Sequence, residues 1–228
     1  MQLLSTANPK IQKGTARGYL SFILHLAPAD LSGHEVCPKR TKGCTDACLN
    51  TAGRGGMFRR GETTNVIQRA RIRKTKMFFE ARDAFMLALE QDINKGIRQA
   101  KRLGLKPVFR LNGTSDLSWE KYGIIEKFPQ VQFYDYTKVL GRKIAHLPNY
   151  HLTFSAADGN DADVARALSA GMNVTVVYDR IPEGVYSADE DDLRFLDPAV
   201  GIIGLKAKGR AKKDTTGFVK RTIMMKVA

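Results

Sequence analysis

The sequence lacks an uninterrupted apolar run long enough to cross a membrane. Its first residues, MQLLSTANPKIQ, also lack the basic-then-apolar order of a secretory signal peptide. These two absences argue against membrane insertion and export. We therefore expect a soluble cytoplasmic protein with no membrane partner.

Cysteine is scarce as well, since the chain has three cysteines and all of them lie between residues 37 and 48. An odd number of thiols in a reducing compartment argues against a disulfide framework. Metal binding, catalysis and burial as small apolar side chains remain as explanations. In the segment HEVCPKRTKGCTDACLN the neighbours of the cysteines are charged and turn-forming, which disfavours simple burial.

Acidic residues are outnumbered, with 23 Asp and Glu against 37 Lys and Arg and a formal net charge of +14. Such a charge attracts polyanions, and nucleic acid, either DNA or RNA, is the expected partner. The basic residues concentrate after the cysteines and again near the C-terminus, which favours a phosphate-contacting surface over a solvated helix and a frayed tail. The predicted nucleic-acid-binding residues are Arg54, Arg59, Arg60, Arg69, Arg71, Arg73, Lys74, Lys206, Lys208 and Arg210.

The hydrophobic content, 43% of 228 residues, is enough for one core. We expect a single α/β domain over residues 1–228, with a cysteine loop at residues 34–50 and a basic C-terminal segment at residues 206–228. Apolar runs rich in β-branched and aromatic residues alternate with helical segments, which is typical of βα units around a parallel sheet. The predicted strands cover residues 18–28, 106–113, 131–137, 151–156, 173–179 and 200–208.

Helical periodicity is clearest before Gly104, where Phe85, Leu89 and Ile93 share one stripe. A preceding helix, capped by Thr63 or Thr64, should run through Lys76, and further helices are predicted near residues 117–127, 138–145 and 161–171. About six or more parallel strands favour a TIM-like βα barrel, partial or full; the alternative is an open doubly wound sheet. In both folds the carboxyl ends of the strands form one rim, and the cysteine loop follows the first strand onto it.

The three thiols indicate an inorganic centre, because thiolates are soft ligands suited to iron–sulfur clusters and zinc. Cys37, Cys44 and Cys48 would hold a [4Fe–4S] or [3Fe–4S] cluster, in the first case with one iron open to another ligand. The alternative is a structural zinc site in which His34 supplies the fourth ligand.

Two further candidates follow the predicted strand 106–113. Asp116 and Glu120 would share one face of a helix that begins near Ser115, either as an acid–base pair or as a helix cap and a surface acid. Trp119, the single tryptophan, would either stack on a base or pack beneath the loop.

The motifs CPKRTKGCTDACLNTAGRG, KTKMFFEARDAFMLALEQDI and RLNGTSDLSWE together resemble a bacteriophage family of uncharacterised proteins called gene product eighty-eight. The resemblance implies a viral origin and a bacterial host cytoplasm, and it implies no particular reaction. A looser similarity links the three-cysteine loop to radical S-adenosylmethionine barrels. The spacing Cys37-x6-Cys44-x3-Cys48 differs from their usual C-x3-C-x2-C, however.

Two classes of function follow from these features. The first, which the net charge favours independently, is a viral iron–sulfur protein that binds nucleic acid. The second is a metal- or cluster-dependent enzyme, either radical S-adenosylmethionine-like or a zinc hydrolase, in which Asp116, Ser155, Lys206 or Lys208 assists the chemistry. No catalytic residue can be assigned from the sequence.

Overall fold

The computed structural model describes residues 1–6 and 13–222. Its centre is a mostly parallel sheet of nine strands, ordered β1-β2-β3-β4-β5-β6-β8-β7, with β9 paired to β6. Only β1 runs antiparallel to its neighbour. The strands are β1 (Leu4–Ser5), β2 (Tyr19–Leu24), β3 (Lys106–Arg110), β4 (Gln132–Thr137), β5 (Tyr150–Ser155), β6 (Val174–Tyr178), β7 (Tyr186–Ser187), β8 (Ile202–Lys206) and β9 (Val219–Lys220).

The α-helices that accompany the sheet are α1 (Lys42–Asp46), α2 (Val66–Glu80), α3 (Arg82–Arg102) and α4 (Asp161–Ser169), and residues 13–15 are also helical. Short 3-10 turns cover Leu49–Thr51, Gly53–Gly56, Trp119–Tyr122, Arg194–Leu196 and Gly209–Lys213. None of the helices in the described residues has both the length and the apolar character of a membrane span.

The N-cap of α2 is Asn65, one residue after the predicted Thr64, because its side-chain oxygen accepts a hydrogen bond from the Gln68 N–H. The predicted helix over residues 117–127 is wrong. It is reduced to the turn Trp119–Tyr122, which ends at Gly123 in the left-handed conformation. The helix predicted near residues 138–145 is also absent from the described chain, and this segment turns at Gly141, which likewise has a positive φ.

Helices α2, α3 and α4 pack on one face of the sheet. Phe22 of β2, Phe109 of β3 and Phe133 of β4 join the buried cluster that contains the α3 stripe of Phe85 and Leu89, so the predicted stripe is confirmed. Helix α4 buries Ala167 against Phe154 of β5 and Val174 of β6. Because alternate residues of a strand point to opposite faces, these side chains all lie on the same side.

The opposite face of the sheet is covered by the segment 188–197, which packs Leu193 against Val108 and Tyr134. Three carboxylates of this segment turn inward, those of Asp191, Asp192 and Asp197. Asp192 pairs with Arg110 of β3 at 2.9 Å, and Asp191 pairs with Arg17 at 2.7 Å. The cluster Asp189–Asp192 therefore serves partly as an internal counter-charge, since Asp191 and Asp192 are buried.

The predicted α/β class with a largely parallel sheet is confirmed. Strands β2 to β6 follow one another in chain order, without the reversal that marks a doubly wound sheet, and that alternative is not the arrangement found. The strand pairings form an open path from β1 to β7.

Candidate functional site

The cysteine loop lies beyond the carboxyl end of β2, and it is hydrogen-bonded to a carboxylate from the segment that follows β5. Thr41 caps α1, accepting a hydrogen bond from the Cys44 N–H at 3.1 Å. Asp158, after β5, accepts hydrogen bonds from the Gly43 N–H at 3.0 Å and from the Thr41 hydroxyl. These hydrogen bonds outweigh the effect of burial, which alone would raise the pKa of Asp158, and the net shift is downward.

The three thiols are free and half-buried, and the charge of one thiol affects the pKa of another. Cys37 Sγ accepts a hydrogen bond from the Ala29 N–H at 3.4 Å, and Cys48 Sγ accepts one from the Asn50 N–H at 3.5 Å. Burial raises the pKa of Cys37 to about 12, and the Cys48 and Cys44 thiolates raise it too. Burial and the Cys44 thiolate likewise raise the pKa of Cys48. The three thiols are therefore close enough for their charges to act on one another.

Two cations stand beside these sulfurs. Lys138, just beyond β4, directs its ammonium to Ser155 Oγ at 3.4 Å. Burial lowers the pKa of Lys138, but the charges of Cys44 and Asp116 outweigh it and the net shift is upward. Arg71 of α2 donates to Asn50 Oδ1 at 2.5 Å; burial lowers its pKa, while the Cys48 thiolate opposes the shift.

Solvent reaches the outer side of this loop through an open cleft of about 530 Å³. Its lining is largely polar, and it includes the Cys37 residue itself. The lining residues are Glu35, Cys37, Pro38, Arg40, Thr41, Lys42, Thr45 and Asp46.

His34, the candidate fourth zinc ligand, is directed elsewhere. Its ring stacks on Phe79 with a centroid separation of 4.4 Å, and its Nε2 lies 3.4 Å from Glu80 Oε1. In residues 1–6 and 13–222, no group of three or more His, Cys, Asp or Glu side chains stands in an arrangement that could hold a metal ion.

Asp116 and Glu120, the predicted acid–base pair, form hydrogen bonds with other parts of the fold. Glu120 accepts a hydrogen bond from Arg142 Nε at 3.0 Å, and Asp116 accepts one from the Lys138 backbone N–H at 2.8 Å. Trp119 is fully buried between Phe78 and Phe85, and its Nε1–H donates to Asn112 Oδ1. Of the two predicted roles, stacking on a base and packing beneath the loop, Trp119 therefore has the packing role.

The two basic segments, more than a hundred residues apart in sequence, meet in space. A methyl group added at Gly209 would lie 3.2 Å from Ala52 Cβ, so the turn Gly209–Lys213 rests on the chain that follows the cysteines. We call the exposed cations on either side of this contact the basic face. They are Arg54, Arg59, Arg60, Lys208, Arg210, Lys212 and Lys213.

The other predicted nucleic-acid-binding residues are distributed differently. Arg69 and Arg73 of α2 and Lys206 at the end of β8 are exposed. Lys74, in contrast, donates to the Leu3 carbonyl oxygen at 2.6 Å, and Arg71 is bound to Asn50. The basic C-terminal segment was predicted to reach residue 228, but residues 223–228 lie outside the described part of the chain.

A sequence profile of the family described as Gene product 88 matches residues 2–222. This chain belongs to the Gene product 88 family. The resemblance seen in its motifs is therefore confirmed. No curated protein and no solved structure matches the chain.

In this member of the Gene product 88 family, the sequence motifs did not identify Asp158 or Asn65 as site residues. Asp158 follows a predicted strand end, and that position is the only signal for it. Asn65 caps α2, and its Nδ2 donates to the carbonyl oxygens of Arg54, Gly55 and Met57. An Asn immediately before an amphipathic helix is a recognisable capping signal.

Proposed function

We propose that this chain is a viral nucleic-acid-binding protein of the bacterial host cytoplasm, with an iron–sulfur cluster on Cys37, Cys44 and Cys48. The observation that carries the proposal is the meeting of the two basic segments at Gly209 and Ala52, next to the cysteine loop. A cationic surface assembled from separate parts of a chain is the electrostatic footprint of a polyanion-binding protein.

The charge of the basic face is available to phosphates. The head groups of Arg54, Arg59, Arg60 and Arg210 form no ion pair with any residue in the described ranges, whereas Lys208 is held by Asp189 at 2.7 Å. An unpaired surface guanidinium needs no internal salt bridge to be broken before it binds phosphate, and it can bind bidentately.

The cysteine loop fits an iron–sulfur cluster by the chemistry of its donors. Three thiolates would ligate it, and the cations Arg71 and Lys138 would offset the negative charge of a thiolate-bound centre. Bound there, such a cluster would act as a structural clip or a redox sensor. A zinc site is the alternative, and the contacts of His34 with Phe79 and Glu80 favour it less.

The fold proposal is a partial TIM-like barrel. Parallel strands that follow one another in chain order, with helices on one face, are typical of a βα barrel. In such a barrel, polar side chains at the carboxyl ends of the strands surround the ligand. Lys138, Ser155 and the cysteine loop occupy that rim.

Binding can be tested by fluorescence anisotropy with labelled oligonucleotides over a salt series. Reversal of Arg54, Arg59 and Arg60 to Glu should weaken binding and reduce the slope of log affinity against log salt by about 2, at about 0.7 to 0.9 per lost phosphate contact. Arg71 and Lys74 are left intact because their inward contacts serve folding.

The matched control reverses Arg98, Lys101 and Arg102, which are exposed near the C-terminus of α3, just before the amino end of β3. It changes the net charge by the same amount, so equal losses in both variants would assign binding to net charge alone and contradict the basic face.

The cluster is tested by iron, zinc and acid-labile sulfide analysis after anaerobic purification. Each single Cys→Ala variant at Cys37, Cys44 and Cys48 should lose iron and sulfide, while His34→Ala should retain both. If the protein contains zinc without sulfide, and His34→Ala loses that zinc, the centre is a Cys3His zinc site and not a cluster. Full metal retention in all three cysteine variants would refute both centres.

A further inference from the structure

One segment of the loop before α2 exposes apolar side chains among arginines. Met57 is 71% exposed and Phe58 is 38% exposed, and Arg59 and Arg60 follow directly. Phe58 is the only exposed Phe, Tyr or Trp in residues 1–6 and 13–222. Met57 and Phe58 together form a small exposed apolar patch bordered by cations, and an apolar patch with a polar rim is typical of a contact surface.

The base of this segment is firmly held even though its tip projects. The Asn65 side chain donates to the carbonyl oxygens of Gly55 and Met57, each at 2.9 Å, and Gln68 Nε2 also donates to the Gly55 oxygen at 3.1 Å. Asn65 is buried and is itself the cap of α2. Phe58 is therefore presented by a backbone that is already ordered on one side, which reduces the entropy lost on binding.

The chemistry of the segment selects among polyanions. Phosphates need only the arginines, whereas the face of a phenyl ring binds the face of another planar group. In a duplex the bases are stacked on one another and their faces are covered. In a single strand they are free to stack on a side chain.

We propose that Met57–Arg60 is a stacking platform for unpaired bases, and that the partner of the basic face is single-stranded nucleic acid. This inference rests on the proposed function and narrows its substrate class. A base stacks on Phe58, while Arg59, Arg60 and Arg54 contact the flanking phosphates. Trp119 cannot take this role because it is buried in the core.

The test compares a short fluorescein-labelled strand of mixed sequence with its duplex, at fixed salt, by anisotropy. The full-length protein should bind the single strand more tightly. Phe58→Ala should weaken single-strand binding about tenfold, the effect of losing one base–aromatic stack of about 1.4 kcal/mol, and should leave the salt slope unchanged. Phe58→Trp, which keeps a stacking face, should retain wild-type affinity.

Leu103→Ala is the control, since Leu103 is 59% exposed at the far end of α3 and should have no effect. Tight duplex binding that Phe58→Ala leaves unchanged would overturn the platform and keep the proposed function. Binding to neither oligonucleotide would overturn the proposed function itself. Binding to phosphatidylglycerol vesicles in place of oligonucleotides, lost in Phe58→Ala, would assign the segment to a lipid surface and refute both.

Discussion

Replacement of Gly43 by Ala should detach the cysteine loop from the end of the chain. A Cβ at this position would stand 2.0 Å from Thr216 Oγ1, 2.6 Å from Asp158 Oδ1 and 2.8 Å from Phe218 Cβ. Thr216 can rotate, but the Asp158 carboxylate must leave, and it then loses its bonds from the Gly43 N–H and the Thr41 hydroxyl.

The cost follows from these contacts. Overpacking costs about 1–3 kcal/mol and each of the two lost hydrogen bonds about 1 kcal/mol, so the free energy of unfolding should fall by about 3–5 kcal/mol. That loss is a large fraction of the stability of an ordinary domain. It should also release the chain after Lys206 to proteases.

Urea denaturation followed by tryptophan fluorescence measures the change, because Trp119 is buried in the core. Gly14→Ala is the matched control, because the nearest atom to its Cβ would be Leu193 Cδ1 at an ordinary 3.6 Å. A Gly43→Ala protein with the wild-type midpoint and slope would refute the packing described here.

Burial raises the pKa of Asp135 to about 7, from 3.8 for an unperturbed carboxyl, so its contribution to stability is greatest at low pH and is lost as pH rises from about 4 to about 7. Asp135→Asn should remove that part of the pH dependence in urea titrations across this window, and an unchanged profile would contradict the assignment. The pKa of Asp158 is lowered, so its contribution to stability is present above about pH 4 and is lost as pH falls through the depressed value. Proteolysis of the cysteine loop should therefore increase at low pH. In Asp158→Asn, proteolysis should be high at every pH. Asn65→Ala removes a helix cap and leaves buried carbonyl oxygens unsatisfied, which should cost about 2 kcal/mol in thermal unfolding. Asn65→Asp keeps the cap but turns a buried carboxylate oxygen toward the carbonyl oxygens of Gly55 and Met57, so it should cost at least as much.

The six main parallel strands could be predicted because each is a buried apolar run bounded by turn residues. The strands β1, β7 and β9 could not, since each spans two residues and has no periodicity. The two wrong helices fail for a local reason: Gly123 and Gly141 adopt positive φ and stop the chain from continuing in α conformation.

The placement of Cys37, Cys44 and Cys48 on one loop could be predicted because they lie close together in the sequence. Lys138 and Asp158 reach that loop from distant strand ends, and no spacing in the sequence relates them to it. For the arginines of α2, helical periodicity predicts which side chains point inward, and composition alone does not.

Arg71 lies four and seven residues before the buried Thr75 and Phe78, which puts it on the inward stripe of α2. Arg69 and Arg73 fall on the outward side and are exposed. A segment that is uniformly basic in sequence thus divides into cations that support the loop and cations that face solvent.

The contact of Gly43 with Thr216 and Phe218, and of Ala47 with Val219, has a consequence for biosynthesis. The loop is translated more than 160 residues before the residues that close over it. During that interval the nascent chain carries its three sulfurs uncovered, and the loop acquires its folded contacts only after Thr216, Phe218 and Val219 have been made.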